Sequence, residues 1–343
     1  MKLTILFGGA SYEHEISIVS AVTVMQKLDS FDINLVFCDQ DHQFYKIDKK
    51  DMKAKTFSSL AHKKMPLLHV SRGGFELRKR FSKELIDAPV LNLIHGGDGE
   101  DGSIAALLDF FDIDFIGPRK EACVFSFDKG YTKFFAESVG VKTLEYEVLS
   151  RGEKPGISLP LIIKPARLGS SIGVSIVKEE GELDYALDVA FEFDERVVVE
   201  PFIAGVKEYN LAGCKVGEKI EFSIVEEPQK QEFLDFDKKY RDFSRSAKAN
   251  EAQIDTEMTK KLQEAFSSIY DGVFDGALIR CDFFVIDDEV FLNEINPIPG
   301  SMAHYLFDDF KSLIQNLLKS LPKPKRPQVN YQYIHSINQA KGK

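Results

Sequence analysis

The sequence predicts a mixed α/β fold, and three features carry that prediction. Residues 3–39 open as strand, glycine turn, helix and strand, the start of a parallel sheet. Strand-like runs then alternate with helical stripes as far as residue 203. From 208 the pattern is mostly strand and ends in a hairpin with Asp287-Asp288 at its turn. The composition, 44% hydrophobic and 11% aromatic, is globular. At roughly 150 residues per domain, 343 residues predict two or three domains.

Each element has a local cause. "LTILF" is a short apolar strand stopped by Gly8-Gly9, and Ile18, Val22 and Met25 then recur at helical spacing before the strand "INLVFCD". Residues 40–86 are Lys-rich and polar, which predicts peripheral strands and loops. "PVLNLI" returns as a buried strand. After "HGGDGEDG" a helix is expected, with Ser103 as N-cap and Ile104, Leu107, Leu108 and Phe111 as its apolar stripe. "IDFIGP" closes the first unit, and Gly117-Pro118 marks a boundary. The middle stretch reads as a helix at "DKGYTKFFAES", a strand "LPLIIKP", the loop "ARLGSSIG", a strand "VSIV", a helix "ELDYALDVAFEF" and a strand "RVVVEPF". The polar segment "LDFDKKYRDFSRSAKAN" and the helix "TEMTKKLQEAFSSIYDG" precede the hairpin. "PKPKRP" ends the last helix, and the polar tail after it is expected to be peripheral.

Charge and leader signals narrow the classes. A net charge of −10 argues against non-specific nucleic-acid binding. "MKLTILFGGA" has too short an apolar run for a secretory leader, and no stretch nears the ~20 residues that cross a bilayer. The expectation is a cytoplasmic protein with no membrane partner. Cys38, Cys123, Cys214 and Cys281 are far apart in apolar context, so they read as buried free thiols.

The hairpin "ALIRCDFFVIDDEVFLNEINP" is the most informative stretch. Alternation puts Ile279, Cys281, Phe283 and Val285 on one face and Arg280 with Asp282 on the other. Glu294 and Asn296 are expected on one face with Leu292, so that Arg280, Asp282, Glu294 and Asn296 meet. Such hard oxygen donors suit Mg²⁺ shared with phosphate, and an arginine beside them suits a developing negative charge. A solvated edge hairpin is the plain alternative, weakened by the apolar flanks.

Other residues join this reading. Lys164 ends a buried strand before the Gly169-Ser170-Ser171-Gly173 loop, whose N–H groups could close over phosphates. Lys129 is a second phosphate candidate. Glu200 follows three valines and could accept an amino group, with Pro201, Phe202 and Ile203 beside a nucleotide base. "GGASYEHEIS" sets Glu13 and Glu15 at a helix start. "IHGGDGEDGS" surrounds His95 with glycines, a sign that something approaches the backbone closely.

In this order, "GGASYEHEIS", "HGGDGEDGSIAA", "DKGYTK", "IIKPARLGSSIGVS", "VVVEPFIAGVKEYN", "DKKY", "IRCDFFV" and "NEINPIPGSMAHYL" resemble the D-alanine–D-alanine ligase family of the ATP-grasp superfamily, from residue 1 to about 320. The resemblance implies a three-domain ATP-grasp ligase: a parallel α/β unit at 1–117, a central unit at 118–203, a C-terminal unit at 204–321 and a peripheral tail at 322–343. It implies a homodimer that joins two D-alanines with ATP through an acyl phosphate. Glu13 would hold the first D-alanine, with His95 nearby and Tyr305 and Leu306 in the substrate pocket. Lys129, Lys164, Ser170, Ser171 and Lys239 would face the ATP phosphates, Glu200 to Ile203 the adenine, and Glu208 the ribose. Asp282, Glu294 and Asn296 would bind two Mg²⁺, with Mn²⁺ as a substitute. Arg280 and the Gly300 N–H would form the oxyanion site, and Ser170 and Tyr240 would link to Glu13.

Three other readings compete. A sister ligase would take D-lactate or D-serine second; Tyr240 favours an amine nucleophile instead. Another ATP-grasp ligase would share the ATP half but not "GGASYEHEIS" and "HGGDGEDG". A regulatory nucleotide-binding module would lack the metal acids or Arg280, and all are present. Leu168 stands where the family often has an acid, and Tyr305 where it often has a small hydroxyl.

Overall fold

The computed structural model describes residues 1–228, 249–323 and 327–341. Three sheets organise them. The first has eight strands in the order Lys83–Ile86, Gly74–Arg78, Leu67–Ser71, Phe44–Ile47, Asp32–Cys38, Lys2–Gly8, Val90–Asn92 and Phe115–Ile116. Its last four run parallel, as the apolar, non-alternating runs predict for a sheet covered on both faces. Residues 44–86 extend it as antiparallel edge strands, with a short helix, Ala54–Ser58, between them.

The second sheet is antiparallel, in the order Glu147–Ser150, Arg196–Pro201, Leu161–Pro165 and Ser175–Val177. The third runs Lys219–Glu226, Lys207–Val216, Ile279–Ile286, Glu289–Asn296 and Lys142–Thr143. The helices Lys120–Phe127 and Lys129–Ser138 feed Ala122, Phe135 and Ala136 into the core of this third sheet. The stretch after Gly117 therefore contributes to both later sheets. The core of the first sheet also draws on the far end of the chain: Ile298, Met302, Phe310, Leu313, Ile314 and Leu317 pack with Leu3, Ile5, Ala21 and Val24.

Two local expectations are corrected. Helix His14–Lys27 is covered on more than one side, so its most buried residues are Ile16, Ser17, Ser20, Ala21 and Val24, while Ile18, Val22 and Met25 are only partly buried. Small residues fill that face because the turn at 300–306 packs closely on it. Ser103 is the first residue of its helix, not the N-cap. Gly102 caps it at φ +100°, a left-handed conformation that a serine adopts only with strain, and Asp101 Oδ1 accepts from the Ser103 N–H at 2.7 Å.

All four cysteines are buried free thiols. Among the described residues no helix is long and apolar enough to cross a membrane.

Candidate active site

The hairpin brings four polar side chains onto one face. Arg280 pairs across the ladder with Asn296, and Asp282 with Glu294. Leu292 does not share that face, contrary to strict alternation. The register steps between Asp282 and Phe283, so Asn293 is an extra, bulged residue and Leu292 sits opposite Phe283 in the core. The bulge lets Glu294 and Asn296 face the site while Leu292 stays fully buried. It also turns Asn293 toward Lys164, whose Nζ donates to Asn293 Oδ1 at 3.4 Å.

Arg280 grips Asp282 with two parallel bonds, Nε to Oδ1 at 2.6 Å and Nη2 to Oδ2 at 2.8 Å. Asn296 Nδ2 donates to Asp282 Oδ2 at 3.1 Å. Burial pushes the Asp282 carboxyl up to about 6, with Arg280 opposing and the neighbouring Glu294 adding to the rise. Two acids in one buried place carry more negative charge than one guanidinium balances. That surplus, offered by hard oxygens, fits a divalent cation. Among the described residues no group of three His, Cys, Asp or Glu side chains forms a metal set; the donors here are two carboxylates and an amide.

A second charged cluster lies on the adjoining sheet. Glu200, 1% exposed, sits opposite Ile162 in the register. Its Oε2 lies 3.1 Å from Lys164 Nζ and its Oε1 lies 3.1 Å from Lys133 Nζ. Burial alone would raise this carboxyl; Lys164 and Lys133 outweigh it and hold Glu200 down at about 2. Lys129 is nearby and half-buried, and desolvation lowers its pKa. Its Nζ donates to the Leu168 carbonyl at 2.6 Å, which ties it to the glycine-serine loop. Lys133 was not foreseen; its spacing of four from Lys129 in "DKGYTK" puts both lysines on one helix face. The Phe202 N–H is taken by the Pro160 carbonyl at 2.9 Å, and Ile203 is partly exposed nearby. Glu208 lies on the Arg280–Asp282 face, in register with Phe284.

The first sheet supplies a third group. Glu13, the N-cap of helix His14–Lys27, is 9% exposed. Ser170 Oγ donates to Glu13 Oε1 at 2.5 Å, joining residues 157 apart in sequence. Burial, with Glu100 close by, pushes the Glu13 carboxyl up, and the Ser170 hydrogen bond opposes it. Ser170 and Ser171 both adopt left-handed backbone, at φ +55° and +58°. His95 Nε2 is hydrogen-bonded to Ser20 Oγ at 2.8 Å, and its Nδ1 lies 3.7 Å from Glu100 Oε1.

The glycines around His95 are explained by the protein's own atoms. A Cβ on Gly96 would stand 2.7 Å from Glu13 Oε2, and one on Gly99 would stand 1.8 Å from the Ile94 carbonyl oxygen. A glycine in the opposite loop is less tightly held: a Cβ on Gly169 would lie 3.1 Å from Glu13 Oε1.

The turn after the hairpin begins at Gly300 and carries three left-handed residues, Ser301, Met302 and Ala303. The Ser301 N–H donates to Ser20 Oγ at 3.0 Å. Ser20 therefore touches both His95 and this turn, a link the sequence reading missed. Tyr305 OH donates to Glu226 Oε2 at 3.4 Å. Burial pushes Tyr305 up to about 12, with Arg280 opposing. The Leu306 side chain is core, packed with Ala212 and Ala303. Lys239 and Tyr240 lie outside the described residues.

Comparisons with known proteins identify the relatives of this chain. The family model described as "D-ala D-ala ligase N-terminus" matches residues 2–118, and that described as "D-ala D-ala ligase C-terminus" matches residues 135–317. The D-alanine–D-alanine ligase of Sulfurimonas denitrificans is 61% identical over the whole of both chains. The crystal structure of the D-alanine–D-alanine ligase from Helicobacter pylori is 47% identical, with a TM-score of 0.84, over 95% of this chain and 100% of that one. The VanG D-Ala:D-Ser ligase from Enterococcus faecalis is similar at 26% identity and a TM-score of 0.73, over 93% of this chain and 97% of that one. With two family models across most of its length and a full-length relative more than half identical, the chain belongs to the D-alanine–D-alanine ligase family.

Proposed function

We propose that this chain joins two D-alanine molecules into D-alanyl-D-alanine at the expense of ATP, for peptidoglycan precursor synthesis. The carboxylate of the first D-alanine attacks the γ-phosphorus of ATP, giving D-alanyl phosphate and ADP. The amine of the second attacks the acyl carbon and loses a proton, and the tetrahedral adduct expels phosphate.

Glu13 binds the first ammonium, with His95 nearby, and Tyr305 and Leu306 belong to the substrate pocket. Lys129 and Lys164 meet the phosphates, with Ser170, Ser171 and Lys239 closing over them and Tyr240 completing the link to Glu13. Glu200 and the Pro201–Ile203 backbone receive adenine, and Glu208 the ribose. Asp282, Glu294 and Asn296 would hold two Mg²⁺, or Mn²⁺ in their place. The bound ions would neutralise phosphoryl oxygens. Arg280 and the Gly300 N–H stabilise the oxyanion. The chain works in the cytoplasm as a homodimer of three-domain subunits, with units at 1–117, 118–203 and 204–321 and a tail at 322–343.

The supporting observation is the convergence of Arg280, Asp282, Glu294 and Asn296 on one sheet face. Phosphate release with ATP, Mg²⁺ and a panel of D-amino and D-hydroxy acids tests the reading, with the product weighed by mass spectrometry. D-Alanine alone should yield the dipeptide. Product only when D-lactate or D-serine is added would replace this reading with the sister activity.

A further inference from the structure

A cavity of about 380 Å³ lies outside the ligase site, between helix His14–Lys27 and the segment 54–63. Its walls are mainly apolar, with Ile18, Phe37, Phe57 and Leu60 among them. The Phe37 ring lies 4.8 Å from that of Phe57 and 4.9 Å from that of His62.

Two polar side chains line it although each is only 3% exposed: Asp39 and His62. Asp39 Oδ1 accepts from the Asp41 and Gln43 N–H groups at 3.0 and 2.9 Å. Asp39 Oδ2 makes no hydrogen bond of good geometry, although the Tyr45 hydroxyl lies beside that carboxylate, and neither ring nitrogen of His62 makes one, although the Thr56 backbone lies beside it. Buried polar atoms are rarely left without a partner.

The charge around the cavity selects the sign of what fits. Asp39 and Glu15 are acidic, while the ammonium of Lys63, on the rim, is drawn to Asp41 at 3.4 Å. Burial lowers the His62 pKa, which favours its neutral form.

We infer that this cavity binds a small apolar amine, with the ammonium at Asp39 and the hydrophobic body against Phe37, Phe57 and Ile18. An aromatic wall and a buried carboxylate both attract a cation. The volume is in the range of small-molecule pockets, roughly 300–1,000 Å³.

Titration calorimetry of the full chain with tryptamine tests this, with indole-3-acetate as the anionic counterpart and with ADP plus D-alanine as competitors. Tryptamine should bind saturably, unaffected by the competitors and at least about tenfold more tightly than indole-3-acetate. Asp39→Asn keeps an oxygen for the two N–H groups and should weaken tryptamine about tenfold. Ala54→Trp, at the exposed rim, should block binding and leave phosphate release unchanged. It decides the matter alone if Asp39→Asn fails to fold. The inference is overturned if tryptamine does not saturate, if indole-3-acetate binds as well, if both variants bind like the parent, or if ADP or D-alanine displaces tryptamine.

Discussion

Glu200 and Asp282 are both buried acids held by cations, yet their carboxyls move in opposite directions. Glu200 lies between two lysines and falls to about 2; Asp282 shares one arginine with a second acid and rises to about 6. Burial acts on both alike, so the neighbouring charges decide. The lysine cluster has two cations gripping one acid, with Lys129 between that acid and Glu294, and keeps a positive excess suited to a triphosphate. The hairpin face has two acids around one cation and keeps a negative excess suited to a metal. One site thus holds two opposite, unbalanced charge sets, each complementary to one half of a metal–nucleotide pair.

The largest expected effect comes from upsetting the positive set. Glu200→Ala would strand Lys133 and Lys164 and should cost about 3–5 kcal/mol in urea unfolding, the usual penalty for breaking a buried pair. Adding Lys133→Met should recover part of that loss. Equal stability of Glu200→Ala and parent would mean that the lysines are discharged in the fold.

Next in size is the negative set. Glu294→Gln should lower phosphate release by about a hundredfold or more, with the melting temperature kept. Near-parental turnover would remove Glu294 from the metal set.

Acid should sharpen the contrast. Glu200 is depressed from its ordinary 4.5, so its contribution is complete above that pH and is lost as pH falls toward about 2. In Glu200→Gln, the stability curve should flatten across that window. A curve as steep as the parent's would assign the acid sensitivity to other carboxylates.

The smallest effects belong to Glu13, proposed to hold the first substrate. Glu13→Gln should raise the apparent KM for D-alanine about tenfold and spare that for ATP. Gly96→Ala should do the same more weakly, since the new methyl crowds Glu13 Oε2. If only the ATP KM moved in either variant, Glu13 would belong to the nucleotide side.

Period-two alternation made the meeting of Arg280 and Asp282 with Glu294 and Asn296 legible, because side chains on one face of paired strands have nowhere else to go. The bulge at Asn293 was not legible: "FLNEIN" alternates as well without it, and only the demand to bury Leu292 imposes it. Lys133 carries no sign of burial in the sequence, because its burial needs the packing of two distant elements. Ser20 was hidden for a similar reason. A serine on a helix face carries no signal until the chain returns from residue 301 to meet it.

That return has a consequence for biosynthesis. Ser20 and Ser301 are 281 residues apart, and helix Phe310–Lys319 completes the core beside the first sheet. Growing chains fold their early segments first. Here the early segment leaves the ribosome with an uncovered apolar flank and an unfinished pocket, and both are sealed only once residues 298–317 have followed.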